Sequence, residues 1–153
     1  MSAKFYVSVE GARQGQFKGE VGDKMLGVGF SYGVTIPFDN ATGLINGPRQ
    51  QEPISIDKHW GAASPQFLTA LITTENLTTV LLEFVRATVE GNEEVFHTIK
   101  LTNAIVAQVL QSVPNDVTTN LGLERIRFTF QKVEIENKDG NTKFSDNWAT
   151  NRA

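Results

Sequence analysis

The chain contains no cysteine, which excludes disulfides, thiolate nucleophiles and cysteine metal ligands. Its two histidines, His59 and His97, stand far apart among scattered carboxylates, so no ligand set with a metal-site spacing is present. No apolar run approaches the roughly 18 residues that a membrane-crossing helix needs. The first ten residues alternate instead of running from basic to apolar, so a cleavable export signal is not expected. Charge of one sign is also missing. Lysine and arginine number 14 against 17 acidic residues, dispersed among one another, and such a balance offers no groove for nucleic acid and no pull toward anionic lipid. Hydrophobic residues at 40% and charged residues at 20% can build one sizeable core, and 153 residues without an internal repeat are expected to form a single domain, 1–153.

Most of what is present reads with a period of two, the signature of half-buried strands. Phe5, Val7 and Val9 share one face. Over residues 25–33, Leu26, Val28, Phe30 and Tyr32 form an apolar side opposite Gly27, Gly29, Ser31 and Gly33. Ile54 and Ile56 point inward on a short strand over 53–59. Val80, Leu82 and Phe84 lead to a turn at Glu90-Gly91-Asn92, and the chain returns through Val95, His97, Ile99 and Leu101 to Leu110, a hairpin. In the strand over 124–136, Ile126, Phe128 and Phe130 hold one parity while Val133 and Ile135 hold the other; a β-bulge near Gln131 or Lys132 would reconcile them. Asp139-Gly140 marks a last tight turn before Phe144 and Trp148.

One segment is helical. Ser64 is placed to cap it, Pro65 suits its first position and Asn76 can end it. Phe67, Leu68, Leu71 and Ile72 make the apolar stripe, whose burial contributes about 1.5–3 kcal/mol per large side chain. Many short strands with one helix predict a mainly β fold: a small closed barrel of two packed antiparallel sheets, a flanking helix and a long extended loop. That loop, residues 37–51, has no period and carries Phe38, Leu44 and Ile45. Structureless loops of this length are usually functional, and its apolar side chains call for packing, either on the chain's own barrel or on a neighbouring subunit.

Two features could carry chemistry. Gly29-Phe30-Ser31-Tyr32-Gly33 matches the G-x-S-x-G nucleophile elbow, which requires a strained strand-to-helix turn beside an oxyanion hole. Here the match lies inside an alternating strand, and Val34-Thr35-Ile36-Pro37 follows. His59 or His97 with Asp57 or Asp116 could supply a base and its partner, but no spacing groups them. The second feature is the small face of that strand, Gly27, Gly29 and Ser31. Glycine in alternation costs strand stability, so the face either admits close packing or forms a smooth channel wall.

Several short stretches, in order along nearly the whole chain, resemble the Hcp family, the tube proteins of type VI secretion. Gln16-Phe17-Lys18-Gly19-Glu20 resembles the family's G-x-x-K-G-E region, and Phe30-Ser31-Tyr32-Gly33 its F-S-H-G or W-S-W-G strand. Gly43-Leu44, Gly47 and Arg49-Gln50 are similar to its extended loop with a G-x-R-Q ending; Ser64-Pro65 is similar to the S-S-P or S-T-P that opens its helix. Ile99-Lys100-Leu101-Thr102-Asn103-Ala104 resembles I-K-L-x-N-A, Phe128-Thr129-Phe130-Gln131-Lys132-Val133 resembles F-x-Y-Q-K-I, and Asp146-Asn147-Trp148 the closing D-x-W. Tyr32 stands where histidine or tryptophan is more frequent, and Pro37-Phe38-Asp39 lacks an arginine often found between proline and aspartate.

The resemblance implies a non-enzymatic subunit that forms hexameric rings, stacked into a tube which a contractile sheath expels. Its partners would be further copies of itself, the spike protein at the tip, the sheath and effector cargo in the lumen, with no cofactor, no nucleic acid and no membrane insertion. It would be assembled in the bacterial cytoplasm and then secreted. On this reading Phe38, Leu44, Ile45, Arg49 and Gln50 are the expected subunit-interface residues, and Gly27, Gly29 and Ser31 the expected lumen wall. A tail-tube subunit of a phage or related contractile injection device is the alternative, and a serine hydrolase using Ser31 a third reading.

Overall fold

In chain order the elements are β1 (Lys4–Gly11), β2 (Gly15–Gln16), β3 (Met25–Ser31), β4 (Val34–Thr35), β5 (Gln50–Gln51), β6 (Ile54–His59), α1 (Ser64–Thr73), β7 (Leu77–Ala87), β8 (Glu93–Ser112), β9 (Leu123–Asn137) and β10 (Thr142–Asn147). They come from a computed structural model, which describes residues 4–113 and 122–148; Asp116 lies outside them. Strands pair antiparallel in the order β9-β6-β3-β1-β7-β8, and β8 pairs again with β9, closing a six-stranded barrel. Closure removes the unpaired strand edges of an open sheet. β10 pairs with the far half of β9, beyond the stretch used by β6, and so forms an outer flap. This is the mainly β barrel with one helix that the alternation predicts.

The barrel is filled by the inward residues of every strand. Val7, Val9, Ile54, Ile56, Leu82, Leu101, Ile126 and Phe128 are buried, and Phe5, Phe30 and Phe84 meet as a ring cluster with centroids 4.9–6.3 Å apart. Aromatic contacts of this kind add about 0.5–1.5 kcal/mol beyond area burial. The expected hairpin at residues 90–92 and the turn at 139–140 join β7 to β8 and β9 to β10. His97 packs edge-on against Phe84, and its Nδ1 lies 3.1 Å from the Asn137 amide.

Five expectations need correction. The helix runs Ser64–Thr73 with Ala63 at its N-cap and no side-chain cap. Ser64 is drawn inside instead: its Oγ accepts from the Gly61 N–H at 3.0 Å and donates to Glu124 at 3.0 Å. Termination comes not at Asn76 but at Thr74, in the left-handed region with φ 52°, where the N–H of Glu75 reaches back to the Ala70 carbonyl at 2.9 Å. The inward stripe is Ser64, Phe67 and Ala70, with Leu71 partly covered; Leu68 and Ile72 face out, Ile72 at 80% exposure. Phe67 and Ala70 belong to the core, and the Phe67 ring meets Phe17 and Phe128 at 5.1 and 6.1 Å.

On β3 the register shifts between Gly27 and Gly29. Met25 and Gly27 point inward before this irregularity and Phe30 and Tyr32 after it, while Val28 is turned out. Finally, no bulge lies at Gln131 or Lys132. The β8–β9 register is constant across that region, and both strands change parity together at the facing residues Asn103 and Gln131. Asn103 sits at φ 53°, a conformation asparagine tolerates better than most residues, and donates to Gln131 at 2.6 Å. The register does slip between Val106 and Gln108.

Two polar knots are buried with this core. Lys58 and Glu124 are paired residues on β6 and β9, joined at 2.8 Å with no side-chain exposure. The Lys58 ammonium also donates to the His59 carbonyl, and Glu124 accepts from Ser64 and Gln111. Each charge thus has hydrogen-bond partners beyond the other, which is what lets a buried ion pair offset its desolvation. Glu75, just past the helix, accepts from the N–H groups of Arg13 and Gln14 and from the Gln14 amide. Burial alone would raise its carboxyl, but these hydrogen bonds outweigh burial and hold it below the usual range.

Candidate functional site

Between β3 and β6 the chain leaves the barrel as an arm. Its stem is the two-residue ribbon of β4 and β5, pairing Val34 with Gln51 and Thr35 with Gln50. Farther out Phe38 bridges Ile45, and the Asn46 N–H donates to the Pro37 carbonyl at 3.0 Å. The tip turns back on itself: Gly43 donates to the Asp39 carbonyl at 2.7 Å and Asp39 to the Leu44 carbonyl at 2.8 Å. Gly43 lies at φ +75°, a conformation that side chains rarely adopt. The arm therefore has a defined backbone although it touches little of the barrel.

Its side chains are the reverse of a core. Phe38, Leu44 and Ile45 are 58%, 68% and 65% exposed, and Val34 and Ile36 also face solvent. An ordered element with this many exposed apolar groups in a short span is the pattern of an interaction surface. Of the expected interface residues, these three are presented outward on one arm, together with Gln50 on β5.

Arg49 is different. Its guanidinium is already engaged within the chain, donating from Nε and Nη2 to the two oxygens of Asp146 at 2.8 and 2.6 Å. Expected at a subunit interface, Arg49 makes this bidentate contact to its own β10. Asp146 also accepts from the Gln51 amide at 2.6 Å, and the Tyr32 hydroxyl donates to Gln51 at 2.6 Å. The Arg49 guanidinium holds the Asp146 carboxyl below the usual carboxylate range, against the opposing effect of burial.

The small face of β3 divides. Gly27 is buried in the subunit, and a Cβ there would run into the ring of Phe5. Its expected place on a lumen wall is therefore corrected: Gly27 serves close packing. Gly29 lies beside Asp57, which holds Arg125 at 2.9 Å. Ser31 is exposed at the end of β3, opposite Ser55, beside a hollow of about 230 Å³ walled by Glu52, Pro53, Ser55 and Arg127. The short strand β4, not a helix, follows Ser31, so the elbow geometry that activates a serine is not built.

The barrel, flap and arm have close counterparts. A sequence profile described as "Type VI secretion system effector, Hcp" matches residues 6–136, most of the chain. The chain belongs to the Hcp family, the tube proteins of type VI secretion. A relative named "Major exported protein", from Pseudomonas aeruginosa, is 29% identical over 166 aligned positions, covering 97% of this chain and 96% of its own. A crystal structure of Hcp protein superposes with a TM-score of 0.87 at 26% identity, over 95% of this chain and 99% of that one. The secreted protein Hcp3 from Pseudomonas aeruginosa does so at 0.78 and 26% identity, over 96% and 99%.

Seen in this Hcp fold, the motif matches that looked independent along the chain converge in space. Tyr32, Arg49 and Asp146 come from three of them, and all belong to the network at the root of the arm. Gln51, which links them, was not singled out in the sequence. The signal that could have flagged the pair was the joint presence of an arginine before the returning strand and an aspartate before the final tryptophan.

Proposed function

We propose that this chain is a geometric, non-catalytic subunit that closes into a hexameric ring, stacks into the inner tube of a type VI secretion machine and is expelled by a contractile sheath. Copies would be made in the cytoplasm, carry effector cargo in the lumen, support the spike protein at the tip, and leave the cell through the machine itself. The Pseudomonas relative's name, an exported protein, agrees with that route. The observation that carries the reading is the arm: a hydrogen-bonded backbone that presents Phe38, Leu44 and Ile45 to solvent before any partner is bound. Covering their exposed portions would contribute about 3–5 kcal/mol per contact, before the cost of fixing one subunit against another. Head-to-tail contacts that close by rotation make a ring, and the outward Ser31, with Gly29, is proposed to face the lumen.

Light scattering after size exclusion, with negative-stain imaging, tests this directly. The expected result is a mass of six subunits and annular particles. A single-subunit mass at every concentration would remove the proposal. Replacing Ser31 with a bulky residue is expected to leave rings intact and lower cargo retention; ring loss would place Ser31 in a packing contact instead.

A further inference from the structure

The arm's stem is weak by itself. Two ladder pairs and one farther bridge join its limbs, and an isolated two-stranded ribbon is marginal at best in water. Such a stem, with the hydrogen bonds farther out, shapes the arm itself but hardly fixes its angle to the barrel. Yet both roots of the arm are tied to one place. Tyr32, on the outgoing side, donates to Gln51 on the returning side; Gln51 and Arg49 both donate to Asp146, which belongs to β10 and lies 97 positions from Arg49 in sequence. The Asp146 side chain is only 14% exposed, and the Asn147 N–H closes one more bond to it at 3.0 Å.

The flap in turn is held to the barrel along its length. All six residues of β10 pair with β9. Trp148, just after it, packs edge-on against Phe130 at 5.0 Å, and Phe130 meets Tyr32 at 6.2 Å. A bidentate arginine–carboxylate pair fixes angle as well as distance, which a single hydrogen bond does not.

We infer that β10 acts as a clamp on the arm, with Asp146 a positioning residue for assembly although its own side chain is largely covered within the subunit. The inference rests on the proposal that the arm reaches a second copy. The clamp holds the apolar side chains in the orientation a partner needs and so removes part of the ordering cost of association. Loss of Asp146 leaves Phe38, Leu44 and Ile45 in place and lets the arm sample many angles. Since a hydrogen bond to a charged group contributes about 1.5–3 kcal/mol, the expected weakening of assembly is roughly 10–100-fold.

The absence of cysteine makes the test clean. Spin labels on A41C at the arm tip and K100C on β8 report the arm's angle as an intramolecular distance, read by pulsed dipolar spectroscopy with labelled subunits diluted in excess unlabelled protein. The expected result is a narrow distribution in the parent, broadened by Asp146→Ala and by Arg49→Ala, with the double variant no broader than either and assembly weakened in parallel. Additive effects of the two substitutions would mean that they act separately, and an unchanged distribution in Asp146→Ala would overturn the clamp. If Asp146→Ala does not fold by circular dichroism, the isosteric Asp146→Asn is read the same way. A parent protein that never assembles would sink the preceding proposal, while the distance measurement would still decide the clamp.

Discussion

Ile54 and Ile56 on β6 have no exposed surface, whereas Ile36 and Ile45, on the arm just before that strand, are 45% and 65% exposed. The same contrast appears in the ion pairs: Lys58–Glu124 is sealed inside the barrel, and Arg49–Asp146 braces the arm from its edge with the arginine 35% exposed. The barrel fills its interior and pairs its buried charges by itself, through closure of the sheet. The arm satisfies its backbone and its arginine within the chain but leaves its apolar side chains unburied. On the proposed reading stability resides in the barrel and association in the arm, and substitutions should separate the two.

The largest loss of stability is expected from Phe128→Ala, which opens a cavity where Phe67 of the helix meets the barrel; about 3–5 kcal/mol should be lost in denaturant unfolding. Lys58→Ala should cost a similar ~3–5 kcal/mol by stranding Glu124 without its cation. The paired replacement Lys58→Met with Glu124→Leu should recover most of this, because no uncompensated charge remains. If Lys58→Ala alone is neutral, Glu124 does not depend on Lys58 for its charge compensation.

A smaller effect concerns acid. The folded Glu75 carboxyl lies below its ordinary value of 4.5, so its contribution is whole above that pH and is lost as pH falls through the lowered folded value. Glu75→Gln should therefore lower stability at neutral pH and flatten the acid limb of the pH–stability profile. A parallel offset at every pH would contradict the assignment. Smallest for stability is the arm: Leu44→Asp should change unfolding by no more than about 0.5 kcal/mol, yet abolish assembly in light scattering. A large drop in stability there would mean that the arm belongs to the core after all.

Much of the barrel was legible because alternation states which residues are covered. The long return strand and both hairpin turns appear where the sequence places them, and the arm stands out by lacking any period. Errors arose where two structures share one apolar pattern. Leu68 and Ile72 continue the helical stripe, but the helix meets the barrel along a narrow strip, and only Phe67, with Ala70, fits beneath it. The parity change in the strand over 124–136 could mean a bulge in one strand or a matched change in two, and the partner strand decided for the second. Arg49 stands out in the sequence only as an expected interface residue, because no local pattern identifies a carboxylate 97 residues away.

The sequence by itself determined that this chain forms a β-rich core with one helix and one apolar excursion, because covering every second side chain requires the period that it shows. Only the tertiary structure decided which carboxylate each buried or clamped cation meets, why Gly27 must lack a side chain, and which of the helix's apolar residues stay outside. Those outcomes depend on distances between strands remote in the chain, and such distances are set by closure of the barrel.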